Sequence, residues 1–145
     1  MDDYRDAIAS CCRQLRLSAN LADHAFAIQG ETHQEYLYNL LSEEIKCRKA
    51  ARIGKLINSA GFPVQHNFAA FQPDEVQFPS GVTPESLKAL EFFHAGNNLV
   101  MYGSTGTGKT MLSICIGMEA CRSGIPVKFF RTASLINQLS EAQER

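Results

Sequence analysis

The amino-acid sequence predicts an α/β protein: an N-terminal helical region followed by the first part of a P-loop parallel α/β domain. Apolar residues recur at three- and four-residue intervals through the first part of the chain, which is typical of helices. A glycine-rich segment at 103–110 follows a short apolar run at 99–102 and precedes a helix-length apolar stretch, and a second short run lies at 127–130. This order of strand, loop, helix and strand is typical of a parallel sheet covered by helices.

Composition and charge are those of a globular protein. The 145 residues are 45% hydrophobic and 20% charged, with a formal net charge of -1. These values predict a packed core, and they exclude a disordered chain and a strongly basic protein that coats nucleic acid. The acidic N-terminus lacks the features of a secretory signal, and no apolar stretch reaches the roughly 18 residues that a membrane helix needs. We therefore expect a cytoplasmic protein with no membrane contact.

Cysteines and histidines show no ligand-like spacing along the chain. The five cysteines are odd in number and form no CxxC pair, and the four histidines are scattered. This pattern argues against a disulfide framework and against a zinc site. The cysteines are predicted to be reduced and mostly structural.

Residues 1–61 are predicted to form an N-terminal helical region that contacts DNA or a protein partner. Two short helices are expected at about 4–17 and 21–28, and a longer one at about 33–59. Thr32 is a plausible N-cap for the long helix, and Gly61 is expected to end it.

Two rows of side chains on the long helix each allow two interpretations. The basic row can contact the DNA backbone, or it can be a solvated helix face supported by an i,i+4 pair between Glu44 and Arg48. The apolar row can bind a partner or a second copy of the chain, or it can pack against neighbouring helices. The basic row is Arg48, Arg52 and Lys55, and the apolar row is Leu37, Leu41 and Ile45.

Residues 62–82 lose helical periodicity and are rich in proline, including Pro73, and in phenylalanine. This composition predicts a linker that docks through its aromatic side chains. The side chains of Phe68, Phe71 and Phe78 either attach the linker to the core or line a nucleobase pocket of the domain that follows.

Residues 83–145 are predicted to form the N-terminal part of a nucleotide-binding domain. Thr83 and Pro84 supply an N-cap and a first helical residue, and Gly96 ends this helix, whose buried face is Leu87, Leu90 and Phe93. Buried parallel strands are expected at 99–102 and 127–130. Helices are expected from about 109 to 123 and near the C-terminus, where the apolar face is Leu135, Ile136, Leu139 and Ala142.

The segment 103–110 has the pattern of a phosphate-binding P-loop. Glycines let the backbone curl so that successive N–H groups point inward, and the following helix adds its free N–H groups and the positive end of its dipole. Lys109 is expected to contact the β- and γ-phosphates of ATP, and the Thr110 hydroxyl is expected to ligate Mg²⁺. The predicted nucleotide-binding residues are Gly103, Ser104, Thr105, Gly106, Thr107, Gly108, Lys109 and Thr110.

The order of these parts resembles the IstB-like ATP-binding family, AAA+ helper ATPases of insertion-sequence transposition that are also similar to DnaC-type helicase loaders. The resemblance implies ATP-bound protomers that assemble as homo-oligomers on DNA and activate a transposase, or a helicase in the case of a loader. The segments that carry it are 40–44, 60–63, 98–103, 106–110 and 120–129, with Thr132, Ala133 and Leu135.

Some features of that family do not match. Ser104 and Thr105 stand where the family often has prolines, and Met111 stands where it often has histidine. No strand ending in Asp-Glu follows the last predicted helix, and no sensor residue or arginine finger can be assigned. By resemblance the chain is an ATPase truncated before the Walker B strand. We therefore assign no catalytic residue and expect little or no hydrolysis.

Three other functions fit parts of the sequence. A replicative helicase loader belongs to the same class, and the N-terminal region would choose the partner in either case. A non-catalytic interaction or regulatory fragment would act through the N-terminal helices alone. A small-molecule kinase is disfavoured, because nothing identifies an acceptor-binding segment or lid.

Overall fold

The computed structural model of the chain describes residues 2–72 and 76–143, so Pro73 of the predicted linker lies outside the described residues. It contains a short 3-10 helix at Phe68–Ala70. The α-helices are α1 (Asp2–Gln14), α2 (Leu21–Ala27), α3 (His33–Ala60), α4 (Pro84–Lys88), α5 (Glu91–His94), α6 (Lys109–Arg122) and α7 (Thr132–Gln143). None of the described helices is long and apolar enough to cross a membrane.

The chain divides into two compact units, residues 1–52 and residues 53–145, here called the N-terminal unit and the C-terminal unit. The division falls inside α3, after Arg52. The domain boundaries proposed from the sequence, after residues 61 and 82, stay predictions.

Local signals place α3 where the sequence predicts it. The Thr32 hydroxyl accepts the Glu35 N–H at 3.1 Å, and the Glu35 carboxylate accepts the N–H of Glu31 at 2.9 Å. The first bond satisfies a backbone donor that the first helical turn leaves free, and the second joins the residue before the cap to that turn. Gly61 follows the last residue with a φ of 75°, a left-handed conformation that glycine adopts without steric cost.

A buried carboxylate organises the N-terminal unit. Glu44 is 4% exposed, and its Oε1 accepts the Ser18 N–H at 2.9 Å and Nε of Arg48 at 2.6 Å. The Arg48 guanidinium also donates to the carbonyl oxygen of Arg16. These contacts tie the segment between α1 and α2 to α3. Burial alone raises the pKa of Glu44, but the hydrogen bonds from Ser18 and Arg48 outweigh it and lower the pKa below its usual value.

In the C-terminal unit the core forms around α6, whose residues are buried on most sides, as predicted from their apolar pattern. Linker residues take part: Phe71 is buried, and Phe68 and Phe78 pack against the same cluster. These contacts match the docking interpretation of the aromatic linker. The buried members of the cluster are Phe71, Leu87, Leu90, Leu112, Ile116 and Ala120.

The predicted parallel sheet is wrong: no strand occurs in residues 2–72 or 76–143, and the described fold is helical. The segment 99–102 has no regular secondary structure, and Val100 and Tyr102 are 81% and 93% exposed instead of buried. In the segment 127–130, one backbone bond joins Phe129 N–H to the Ala60 carbonyl at 2.8 Å. A strand needs the backbone hydrogen bonds of a neighbouring strand. The described residues contain no neighbouring strand for either segment.

The sequence predicts one helix after Thr83, but the structure has two short helices there, α4 and α5. Thr83 and Ser86 form the N-terminal cap of α4, but Leu90 has a φ of 59° and separates α4 from α5. This break shifts the helical phase, so Phe92 packs against the core while Phe93 is 51% exposed. The prediction of a buried Phe93 is therefore wrong, whereas Leu87 and Leu90 are buried as expected.

Candidate functional site

The loop at 103–108 leads directly into α6 and has a backbone that glycine makes possible. Gly103, Gly106 and Gly108 have φ values of 141°, 88° and 77°. A Cβ added at Gly106 or Gly108 would meet nothing within 4 Å, so the requirement for glycine comes from conformation and not from lack of space. L-residues with side chains avoid these angles because Cβ crowds the backbone.

The backbone N–H groups of residues 105–111 face no acceptor in the described chain. Gly108 is the N-cap of α6 and offers no side chain, and the first bond of the helix runs from Leu112 N–H to the Gly108 carbonyl at 2.8 Å. The N–H groups of residues 105–111, which precede Leu112, form no hydrogen bond with any described residue. Unpaired donors at the positive end of a helix dipole attract a multiply charged anion.

Lys109 curls back over this loop. Its ammonium donates to the carbonyl oxygens of Gly103 at 3.0 Å and Ser104 at 2.6 Å, and to the Thr107 hydroxyl at 3.2 Å. That hydroxyl in turn donates to the Ser104 carbonyl at 2.9 Å. The ammonium is therefore held at the loop by neutral oxygens, which a charged phosphate oxygen would outcompete.

These groups surround one open cavity of about 460 Å³, lined by residues 105–111. The Thr110 side chain is exposed there and provides a hydroxyl for a hard cation, which prefers oxygen ligands. Of the predicted residues, 105–110 line this cavity. Gly103 and Ser104 are not in its lining, and their carbonyl oxygens accept hydrogen bonds from the Lys109 ammonium. The role of residues 103–110 in binding stays a prediction.

The other predicted site residues have different surroundings. Arg48 is occupied by Glu44 and the Arg16 carbonyl, whereas Arg52 and Lys55 are exposed and form no ion pair with any described residue. Of the phenylalanines considered for a nucleobase pocket, none lines the cavity beside the loop.

Two features were missed by the sequence analysis. A second cavity of about 560 Å³ lies in the C-terminal unit, between the segment before α4 and residues 97–100, and Leu87, Glu91 and Phe92 are among its lining. In the N-terminal unit, His24, Glu43 and Cys47 have their donor atoms within 4.8 Å of one another. Each set includes residues from separate segments of the chain, which only the packing of those segments brings together.

Cysteine reactivity should follow burial. Burial raises the pKa of Cys115, with the Glu119 charge adding to it, and burial also raises the pKa of Cys121. Both thiols stay protonated at neutral pH and are poor nucleophiles. We expect iodoacetamide to modify exposed Cys11 first and half-buried Cys47 next, with at least about 10-fold slower reaction at the buried cysteines. Peptide mass spectrometry of the native chain measures this, and equal rates at Cys11 and Cys121 would contradict it.

Comparisons with known proteins agree on one family. A family model described as IstB-like ATP binding protein matches residues 14–145. An insertion-sequence protein of Geobacillus stearothermophilus, named for ATP binding, is 30% identical over 97% of this chain and 58% of its own length. A Mycobacterium tuberculosis relative with a similar name is 28% identical over 92% of this chain and 55% of its own.

A third relative, named as an ATP-binding protein of an IS21-like insertion sequence in Bacteroides fragilis, is 26% identical over 86% of this chain and 49% of its own length. The chain therefore spans about half the length of the relatives that it matches.

Proposed function

This chain belongs to the IstB-like ATP-binding protein family, and from that premise we propose that it is an AAA+-type ATP-binding helper of insertion-sequence transposition. The names of its relatives support ATP binding, and their insertion-sequence origin supports a role in transposition. The sequence segments 40–44, 60–63, 98–103, 106–110 and 120–129 resemble the same family.

The observation that carries the proposal is that the residues lining the loop cavity have backbone N–H groups without an acceptor among the described residues. N–H groups of residues 105–111 would donate to phosphate oxygens, and the Lys109 ammonium would exchange loop carbonyls for the β- and γ-phosphates. The Thr110 hydroxyl would hold Mg²⁺, which neutralises charge on the phosphates. The loop backbone thereby orients the triphosphate.

We propose that these residues bind ATP but hydrolyse it poorly. Hydrolysis needs a carboxylate that orients or activates the attacking water. The lining of the loop cavity, residues 105–111, contains no aspartate or glutamate. ATP affinity and steady-state turnover, measured on the same preparation, test this. Binding without turnover is expected, and turnover at the usual rates of about 1 per second or more would contradict it.

DNA is the proposed macromolecular ligand, contacted through the basic row of α3. Because Arg48 is held by Glu44, Arg52 and Lys55 should supply more of the phosphate contacts. We expect the R52A/K55A double variant to weaken DNA binding at every sequence tested and to lower the salt slope by about 2, roughly one per lost phosphate contact.

A titration of fluorescent duplex DNA at several salt concentrations measures this slope. Lys88→Ala removes a lysine from α4, outside the basic row, and serves as the matched control. The Arg48/Arg52/Lys55 triple alanine variant completes the series. Unchanged binding in the double and triple variants would show that the row is only a solvated helix face.

The protein partner is proposed to be a transposase, and the ATP-bound chain is proposed to assemble with itself on DNA. Co-purification with a transposase supports this assignment, whereas co-purification with a replicative helicase supports a loader. A chain that binds its partner but no ATP would instead be an interaction module acting through its N-terminal helices.

A further inference from the structure

Three side chains of different chemistry meet in the N-terminal unit. They are His24 on α2 and Glu43 and Cys47 on α3. An imidazole nitrogen, a carboxylate oxygen and the Cys47 sulfur all lie within 4.8 Å of one another, and each residue is partly buried. This cluster lies outside the loop at 103–110 and serves no step of the function proposed above.

Helix geometry explains how the cluster forms. Glu43 and Cys47 are separated by four residues on α3, so their side chains lie on the same helix face. His24 lies on the short helix α2. The Tyr36 hydroxyl helps to hold this helix in place by donating a hydrogen bond to the Ala25 carbonyl oxygen at 2.6 Å. Neighbouring Glu44 is directed to Ser18 and Arg48, and is not part of the cluster.

His24 supplies a second observation. Its Nδ1 is buried and has no hydrogen-bond partner among the described residues. A buried ring nitrogen normally has a partner, since a neutral imidazole carries one donor and one acceptor. Coordination of a cation by this ring would give the imidazole the partner that the protein does not provide.

We propose that His24, Glu43 and Cys47 form a binding site for Zn²⁺, with water as the fourth ligand. Nitrogen, oxygen and thiolate sulfur are the donor types that zinc combines, and three protein ligands with one water is a common zinc arrangement. Bond lengths of about 2.0–2.3 Å place tetrahedral ligands roughly 3.3–3.8 Å apart, so side-chain movements of about 1 Å would close the site. Binding releases the Cys47 proton to solvent.

One existing contact competes with the metal. The Lys46 ammonium lies 3.1 Å from Oε2 of Glu43, and its side chain is 73% exposed. An ion pair this exposed is weak, so zinc can displace the ammonium or bind the other carboxylate oxygen. Removal of Lys46 should therefore strengthen metal binding at Glu43.

The test uses the full chain and Zn²⁺ alone, in a buffer without nucleotide. Equilibrium dialysis with elemental analysis should find one zinc per chain at micromolar metal. His24→Ala and Cys47→Ser should each weaken binding by at least about 100-fold, more than the roughly 10- to 100-fold loss expected for a residue that only orients a metal ligand. The matched controls are His33→Ala and Cys11→Ser, which alter exposed residues of the same unit. Both should bind like the wild type, and Lys46→Ala should bind several-fold tighter.

A second measurement follows the Cys47 thiol directly. Zinc should protect Cys47 from iodoacetamide while Cys11 of the same molecule stays reactive, and Co²⁺ in place of zinc should give a thiolate-to-metal charge-transfer band that Cys47→Ser abolishes. Far-UV circular dichroism checks that each variant keeps its helices.

Absence of zinc binding at micromolar metal would overturn the site, and so would equal affinity in His24→Ala, Cys47→Ser and wild type. Protection of Cys11 and Cys47 to the same degree would identify non-specific thiol binding and would also overturn it.

Discussion

Replacement of Lys109 by alanine is expected to weaken ATP binding by about 100-fold. A charge-assisted hydrogen bond contributes roughly 1.5–3 kcal/mol, and about 2.7 kcal/mol corresponds to a 100-fold change in affinity. The lysine is the cation that lies against the loop, where it contacts the oxygens of Gly103, Ser104 and Thr107. Calorimetric titration with ATP and Mg²⁺ measures the loss.

The matched control is Lys88→Ala, which removes one positive charge from the surface of the same unit and should leave ATP affinity unchanged. Lys109→Arg keeps the charge but not the compact ammonium, so intermediate affinity is expected. Hydrogen exchange of α6 shows whether the fold persists. Wild-type affinity in a folded Lys109→Ala chain would remove the loop from the proposed nucleotide site.

Replacement of Glu44 by alanine is expected to destabilise the N-terminal unit by about 2–3 kcal/mol, since hydrogen bonds to a charged group contribute about 1.5–3 kcal/mol and a buried donor without a partner is costly. The change removes the acceptor of both Ser18 N–H and Arg48 Nε. The Arg48 side chain is 52% exposed, so water compensates part of the loss on that side. Urea unfolding followed by circular dichroism measures the total effect.

Hydrogen exchange locates that effect. Protection should fall in the segment 15–20 and in the middle of α3, while α6 stays protected. Glu31→Ala removes an exposed glutamate of the same unit whose side chain forms no hydrogen bond with any described residue, so it is the matched control. Equal stability of Glu44→Ala and Glu31→Ala would show that the buried carboxylate contributes nothing net.

The outcome for Arg48 shows how one contact changes an interpretation. The sequence placed Arg48 with Arg52 and Lys55 in a basic row, and it also offered a pair with Glu44 as the alternative. In the structure the guanidinium is held by the Glu44 carboxylate and the Arg16 carbonyl. Helical spacing predicts which side chains share a face, but the segment at 16–18 that closes this network comes from elsewhere in the chain.

The sequence by itself determined the helices α1, α2, α3 and α6, the capping at Thr32 and Thr83, and the family through its motifs. Each depends on residues within a few positions of one another, because helical hydrogen bonds join residues four apart and a cap or a loop motif is equally local.

Only the tertiary structure decided three other features: the absence of a sheet from the described residues, the break at Leu90, and the meeting of His24, Glu43 and Cys47. A strand needs a neighbour to complete its backbone hydrogen bonds, and a ligand cluster needs separate helices to pack together. An apolar run such as 99–102 does not contain that partner, so its pattern alone could not decide its conformation.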